Sequence, residues 1–180
     1  MDKLLIQNAR VYQNGQFVRA DVLCGDALIA KIGENLTDEE ARVIQADGLR
    51  LVPGFIDVHT HGAAGVDVNA ADEAGLRRIA AFFATQGVTA FNASVLTDTP
   101  ETTEKCLGAI ANVMSDRGMG AQLLGAHLEG PFLAKEYKGA MPEALLREGD
   151  EKLLRAYQNR FPGVIRYITV SPEVPGVVDM

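Results

Sequence analysis

The sequence contains no tryptophan, only two cysteines and three histidines, and no cluster of lysine and arginine. Its formal net charge of -7 would repel phosphate backbones and anionic lipids, so we expect neither a nucleic acid nor a membrane as a partner. Cys24 and Cys106 lie far apart and outside any CxxC pattern, which predicts reduced structural thiols rather than a disulfide or a metal site.

Long apolar runs are also missing. The first residues, MDKLLIQNARVY, lack the apolar core of about 7 to 15 residues that a secretory signal requires. No stretch approaches the roughly 18 apolar residues of a membrane span, so we expect a cytoplasmic protein. With 47% hydrophobic and 23% charged residues in a chain of 180, the composition is typical of a globular protein with a real core.

The beginning of the chain has the pattern of a small β domain. Short β-like runs extend from Leu4 to about Val43 and are separated by turn residues. Asn14-Gly15 predicts a tight hairpin, because both residues tolerate a positive φ. We therefore expect residues 1–50 to form a small antiparallel β unit.

The pattern changes after residue 48, where apolar runs alternate with stretches of helical spacing. The apolar runs are LRLVPGFIDVH, GVTAFNASV, AQLLGAHLEG and GVIRYITV, and the helical stretches are 72–86, 101–117 and 143–160. This alternation is typical of parallel βαβ units, so residues 51–180 are predicted to be α/β. Four such units are half of a (β/α)8 barrel, which typically takes about 250 residues, so we expect an incomplete barrel within this chain.

His59 and His61 are separated by one residue at the end of the first apolar run. Side chains at i and i+2 of a strand point to one face, so both imidazoles are expected to project together and suit a divalent metal. Asp57 shares their parity and is expected one pleat below, where its carboxylate could accept an imidazole N–H. Two polar residues at a strand edge are the alternative, but barrels place active sites at this strand end.

Glu129 lies at the end of the third apolar run, just before Gly130-Pro131. This position is on the same predicted rim as the two histidines, so Glu129 is a candidate metal ligand rather than a solvated loop carboxylate. His127 has the same parity one layer deeper. We expect it to support the ligands or pack in the core rather than to bind the metal itself.

The motifs together carry a family resemblance. The segments LVPGFIDVHTHG, GVTAFNASVLT, LLGAHLEGPFL, KGAMP and ITVSPE stand in the order and spacing of one family, and they span nearly the whole chain. They resemble the N-terminal part of N-acetylglucosamine-6-phosphate deacetylases of the amidohydrolase superfamily. The HxH strand alone is typical of the whole superfamily, whereas HLEGPF followed by KGA is more specific. The resemblance implies that the early β segment is part of a small β-sandwich domain.

The resemblance also implies roles for individual residues. Glu129 matches a ligand of the catalytic metal, while His59 and His61 match a pair that binds a further metal in some members. Gly139 and Ala140 match a loop that approaches the sugar and acetyl group, and the sequence departs from the family at the next residue, where many members have a histidine.

The implied activity is metal-dependent hydrolysis of the acetamide of N-acetylglucosamine 6-phosphate to glucosamine 6-phosphate and acetate, in amino-sugar catabolism. Zinc is the expected metal, although iron, manganese or cobalt would also suit these ligands. The implied partners are a small amino-sugar phosphate and, for the complete enzyme, a second identical subunit.

No catalytic base is expected within this chain. In the resembling enzymes an aspartate on the eighth strand and two further histidine ligands come from later strands, and no histidine follows His127 here. We therefore expect the isolated chain to bind metal weakly and to be inactive.

Two alternatives remain open from the sequence. The chain could belong to another amidohydrolase with the same HxH strand: an N-acetylgalactosamine-6-phosphate deacetylase, a cyclic amidase or an N-acyl amino acid hydrolase. It could instead be a non-enzymatic half-barrel that acts by association. A substrate panel tests the first alternative, and size-exclusion chromatography with metal analysis tests the second.

Overall fold

The computed structural model describes residues 3–26, 28–118 and 120–180. The chain divides into two compact units, Met1–Pro53 and Gly54–Met180. Within the described ranges, no helix is both long and apolar enough to cross a membrane.

The first unit is a five-stranded sheet. Its strands are β1 (Leu4–Gln13), β2 (Gln16–Gly25), β3 (Leu28–Gly33), β4 (Arg42–Gln45) and β5 (Arg50–Leu51). β1 and β2 are antiparallel and are joined by Asn14 and Gly15, whose φ angles of 49° and 82° confirm the predicted hairpin turn.

The first sheet is mixed rather than wholly antiparallel as predicted. β4 and β5 both pair with β1 in parallel, so the antiparallel expectation was wrong for these two strands. Residues 34–41 return the chain to the beginning of β1, where the backbone N–H of Arg42 donates to the carbonyl of Lys3 at 3.0 Å. A pattern of short β runs does not encode which sheet edge a later strand joins, and this connection decides it.

The second unit alternates strands and helices around a four-stranded parallel sheet. Its strands are β6 (Phe55–Thr60), β7 (Gly62–Ala63), β8 (Val66–Asp67), β9 (Val88–Leu96), β10 (Gln122–Glu129) and β11 (Ile165–Thr169), and its helices are α1 (Glu73–Thr85), α2 (Pro100–Val113) and α3 (Glu151–Arg160). The parallel sheet has the order β11-β10-β9-β6, and β7 and β8 form a separate short hairpin. The predicted α/β alternation of four strands with helices is confirmed.

The helices of this unit begin at side-chain caps and pack on one face of the sheet. The Asp72 carboxylate accepts the backbone N–H of Gly75 at 2.7 Å, and the Thr99 hydroxyl caps α2 immediately before Pro100. Apolar side chains of α1 and α2 are buried in a single core, where they pack with Phe91 of β9. The opposite face of β9 and β10 is therefore left for polar side chains.

Three sequence predictions were wrong at their boundaries. The helical stretch 101–117 is too long, because α2 ends at Val113. The apolar run from residue 49 to 59 is split, because Pro53 has no N–H to donate and separates β5 from β6. The helical stretch 143–160 contains a 3-10 turn, Glu143–Leu145, before α3 begins at Glu151. Between them the backbone turns away, with the N–H of Arg147 donating to Pro131 and that of Gly149 to Pro175.

Candidate metal centre

Three polar side chains converge at the carboxyl ends of β6 and β10. The Nε2 atoms of His59 and His61 lie 3.2 Å apart. Oε2 of Glu129 lies 2.9 Å from Nε2 of His61 and 3.3 Å from Nε2 of His59. The three groups are partly open to solvent, so small molecules can reach them.

The strand pleat explains why the two histidines meet. Thr60, between them, is buried on the other side, and its hydroxyl donates to the carbonyl of Gly62 at 3.2 Å. The expectation that both imidazoles project together is confirmed by the contact between their Nε2 atoms. β9 lies between β6 and β10, so parallel pairing brings the distant Glu129 to the same end.

Neighbouring backbone groups orient two members of the cluster. Nδ1 of His61 lies 3.3 Å from the carbonyl of Ser94, which can accept an Nδ1 proton and so leave Nε2 free to bind a metal. The main-chain carbonyl of Glu129 accepts the Thr97 hydroxyl at 2.8 Å, which ties the end of β10 to the end of β9. Such outer contacts hold ligands in position.

His127 lies beneath the cluster, fully buried. Its Nδ1 is 2.9 Å from the Ser94 hydroxyl and its Nε2 is 2.8 Å from the Thr169 hydroxyl, so both ring nitrogens are occupied. Asp57 differs from the expectation. Its carboxylate accepts the backbone N–H of His59 at 3.0 Å rather than an imidazole N–H, because the side chain folds back along its own strand.

The loop residues singled out by the resemblance are not hydrogen-bonded to the cluster in the part of the chain that the structure describes. Gly139 and Ala140 are exposed in a turn. Met141, which stands where many members have a histidine, is buried, and its carbonyl accepts Nζ of Lys138 at 2.9 Å.

Ser94 and Tyr167 were not singled out from the sequence. Ser94 is fully buried and touches two of the three histidines, and Tyr167 stacks on His127 with ring centroids 4.2 Å apart. The available signal was a polar residue inside the apolar run GVTAFNASV, at a position of the same parity as Asn92. A buried serine is common in strands, so this signal alone names no role.

Burial away from water, with a smaller contribution from the neighbouring His59, lowers the pKa of His127 to about 4. An unfolded histidine titrates near 6.5, so below that pH the unfolded chain binds a proton that the folded chain refuses. The contribution of His127 to the free energy of unfolding is therefore complete above pH 6.5 and is lost as the pH falls towards 4. We expect a loss of up to about 3 kcal/mol across this window.

Urea unfolding of the wild type and of His127→Gln, at several pH values between 6.5 and 4, measures this effect. The contributions of the other titrating groups cancel in the difference between the two unfolding free energies. A difference that does not change with pH would contradict the assignment.

The donor set fits a divalent transition metal. Two imidazole nitrogens and one carboxylate oxygen lie within 4.8 Å of one another, and these are ligands that zinc and similar ions take. Three protein ligands are fewer than the four of a closed structural zinc site, so this arrangement leaves room for further ligands.

Curated relatives match almost the whole chain but less than half of their own length. An N-acetylglucosamine-6-phosphate deacetylase of Lysinibacillus sphaericus is 31% identical over 96% of this chain and 45% of its own. The human protein of the same name is 37% identical, over 95% and 44%. An N-acetylgalactosamine-6-phosphate deacetylase of Escherichia coli O157:H7 is 34% identical, over 76% and 36%. No protein-family model matches the chain.

Solved structures agree in fold. N-acetylglucosamine-6-phosphate deacetylase from Pasteurella multocida superposes with a TM-score of 0.86 at 23% identity, over 97% of this chain and 46% of that one. A Mycobacterium smegmatis mutant in complex with N-acetyl-D-glucosamine-6-phosphate gives 0.85 at 25%, over 99% and 46%. A D-hydantoinase gives 0.53 at 29%, over 74% and 28%. The α/β unit thus shares the fold of amidohydrolase barrel enzymes.

Proposed function

We propose that this chain supplies the metal-binding part of an N-acetylglucosamine-6-phosphate deacetylase. The chain is homologous to such enzymes over about 45% of their length. The reaction is hydrolysis of the acetamide of N-acetylglucosamine 6-phosphate to glucosamine 6-phosphate and acetate. The observation that carries the proposal is the convergence of Glu129, from the HLEGPF segment, on His59 and His61.

His59, His61 and Glu129 would hold the metal, for which zinc is our first choice. When bound, a metal of this kind polarises the acetyl oxygen and makes a water nucleophilic near neutral pH. The carboxylate of Glu129 adds the negative charge that two neutral imidazoles lack. The Ser94 carbonyl keeps the Nδ1 proton of His61 away from the ligand side.

The loop at Gly139 and Ala140 would contact the sugar and the acetyl group when the substrate is bound. Gly139 has a φ of 58°, a left-handed conformation that lets a backbone approach a ligand without a side chain in the way. No group near the cluster in the described residues is placed as the acid for the leaving amine. We assign that step to an aspartate outside this chain.

The proposal includes the domain organisation. Residues 51–180 would be the first four βα units of a (β/α)8 barrel, and residues 1–50 would contribute to a small β-sandwich domain. Two features support the barrel assignment: all four large strands are parallel, and the metal-binding side chains stand at their carboxyl ends.

One other substrate is favoured by a specific observation. The Escherichia coli relative named for N-acetylgalactosamine 6-phosphate is as similar in identity as the glucosamine relatives, although it matches less of the chain. The two sugars differ at one hydroxyl, so both belong in the assay. A cyclic amide is less favoured, because the hydantoinase superposes much less closely than the deacetylases.

A chimera tests the proposed function. This chain would replace the matching segment of the Lysinibacillus sphaericus enzyme, and acetate release from both amino-sugar phosphates would be measured. We expect the chimera to release acetate, because the recipient supplies the later strands. We expect the 180-residue chain alone to release none.

The outcomes separate the candidate functions. A folded, metal-containing chimera that hydrolyses a hydantoin but neither sugar phosphate would overturn the deacetylase assignment. Turnover by the 180-residue chain alone, near the rate of the recipient enzyme, would overturn the view that its machinery is incomplete.

A further inference from the structure

The two histidines of the metal centre are held in different ways. His61 is anchored by a hydrogen bond from Nδ1 to the Ser94 carbonyl. Nδ1 of His59 has no hydrogen-bond partner among residues 3–26, 28–118 and 120–180, and nearly half of this side chain is exposed. Apart from the contacts of its Nε2 atom with His61 and Glu129, the His59 ring is therefore oriented by packing.

The His59 ring packs against two rings, the partly exposed ring of His61 and the buried ring of His127. The second contact supports His59 from beneath. The rings of His59 and His127 meet edge to face, with centroids 4.7 Å apart and an interplanar angle of 74°. Such a contact restrains the tilt of the exposed ring only if the buried ring is itself immobile.

Three neighbours immobilise His127. The hydroxyls of Ser94 and Thr169 hold its two nitrogens at 2.9 and 2.8 Å, and Tyr167 stacks on it at an angle of 10°. The Tyr167 hydroxyl in turn donates to the carbonyl of Val58, on the same strand as His59. The support beneath His59 is thus a continuous set of contacts across the sheet.

Ser94 is linked to both imidazoles of the centre, to His61 directly and to His59 through His127. Its carbonyl holds His61 directly, and its hydroxyl holds His127, on which His59 rests. It stands opposite His127 in the register of β9 and β10 and is fully buried, so its hydroxyl contact with His127 is closed to competition from water.

We infer that Ser94 is a positioning residue that aligns His59 and His61 for metal binding, through its hydroxyl for the first and its carbonyl for the second. The inference rests on the proposed metal centre and extends it. Ser94 is not one of the three proposed ligands. Removing its hydroxyl leaves Nδ1 of the buried His127 without a partner, so the ring shifts and the orientation of His59 is lost.

The test is metal affinity of the 180-residue chain, measured by zinc competition titration on folded protein. Ser94→Ala is expected to raise the zinc dissociation constant by about 10-fold or more, as loss of an outer partner of a ligand does. Thr169→Val removes the other hydroxyl on His127 and is expected to act in the same direction. It serves as the second variant if Ser94→Ala does not fold.

Thr103→Val is the matched control. It removes a buried hydroxyl of α2, away from the centre, so any loss of stability should come without a loss of zinc affinity. A purely structural Ser94 would behave like this control. In Ser94→Ala the carbonyl survives, so the Nδ1 proton of His61 should still be seen by NMR in the zinc-loaded chain.

The failures are distinguishable. A wild-type chain that binds no zinc would overturn the proposed metal centre and the inference with it. A wild-type chain that binds zinc, together with unchanged affinity in Ser94→Ala and Thr169→Val, would overturn the inference and leave the proposed function standing.

Discussion

Replacing Glu129 by glutamine is expected to weaken zinc binding by more than about 100-fold, since loss of an outer partner alone costs about 10- to 100-fold. The change removes the only negative charge in the cluster and points an amide towards two imidazole nitrogens that lie within 3.3 Å of the present carboxylate. Zinc competition titration of the 180-residue chain measures the loss. In the chimera, the same change should abolish acetate release.

The fold itself should survive this replacement. Glu129 stands at the end of β10 and is partly open to solvent, so the unfolding free energy without metal should change by less than about 1 kcal/mol, as for other surface positions. Glu136→Gln, an exposed glutamate in the following loop, is the control and should leave zinc affinity unchanged. Wild-type zinc affinity in Glu129→Gln would remove this residue from the proposed site.

Replacing Gly62 by alanine is expected to lower the unfolding free energy of the second unit by at least about 3 kcal/mol, because steric overlap adds to backbone strain. Gly62 follows His61 directly and has a φ of 136°. A Cβ atom there would lie 1.9 Å from the carbonyl oxygen of Val66, which is backbone and cannot swing aside. The shift that relieves the overlap would move His61, so zinc affinity should fall as well.

Gly65→Ala is the matched control for this prediction. Gly65 lies in the turn between β7 and β8, in the same hairpin as Gly62, and also has a positive φ, of 75°, but a Cβ atom added there would meet no other atom within 4 Å. Its replacement should cost only the left-handed backbone, about 1 kcal/mol, and should leave zinc affinity unchanged. Urea unfolding and zinc titration of both variants measure the difference, and equal losses would contradict the steric argument.

The candidate site was predictable where it depends on local periodicity. The i, i+2 spacing of His59 and His61 determines that both rings leave one face of a strand, and the turn after Glu129 indicates a strand end. Asp57 shows the limit of this reasoning. Its position in the strand predicted that it would share a face with the two histidines and accept an imidazole N–H. Its carboxylate instead turns back to the backbone N–H of His59, because this donor is only two residues away.

The same limit applies to the elements. Thr99, just before Pro100, locates the start of α2 because a cap is a contact over three residues. The helical pattern before Gly149 failed because its backbone bonds to Pro175, far along the chain.

The sequence by itself determined the alternation of strands and helices, the shared face of the two histidines and the likeness to a deacetylase family, because each of these depends on the order and spacing of neighbouring residues. Only the tertiary structure decided that Glu129 meets His59 across β9 and that β4 and β5 run parallel to β1. It also decided that Ser94 contacts both His61 and His127. Those contacts join segments far apart in the chain, and strand pairing, not local pattern, determines which distant side chains meet.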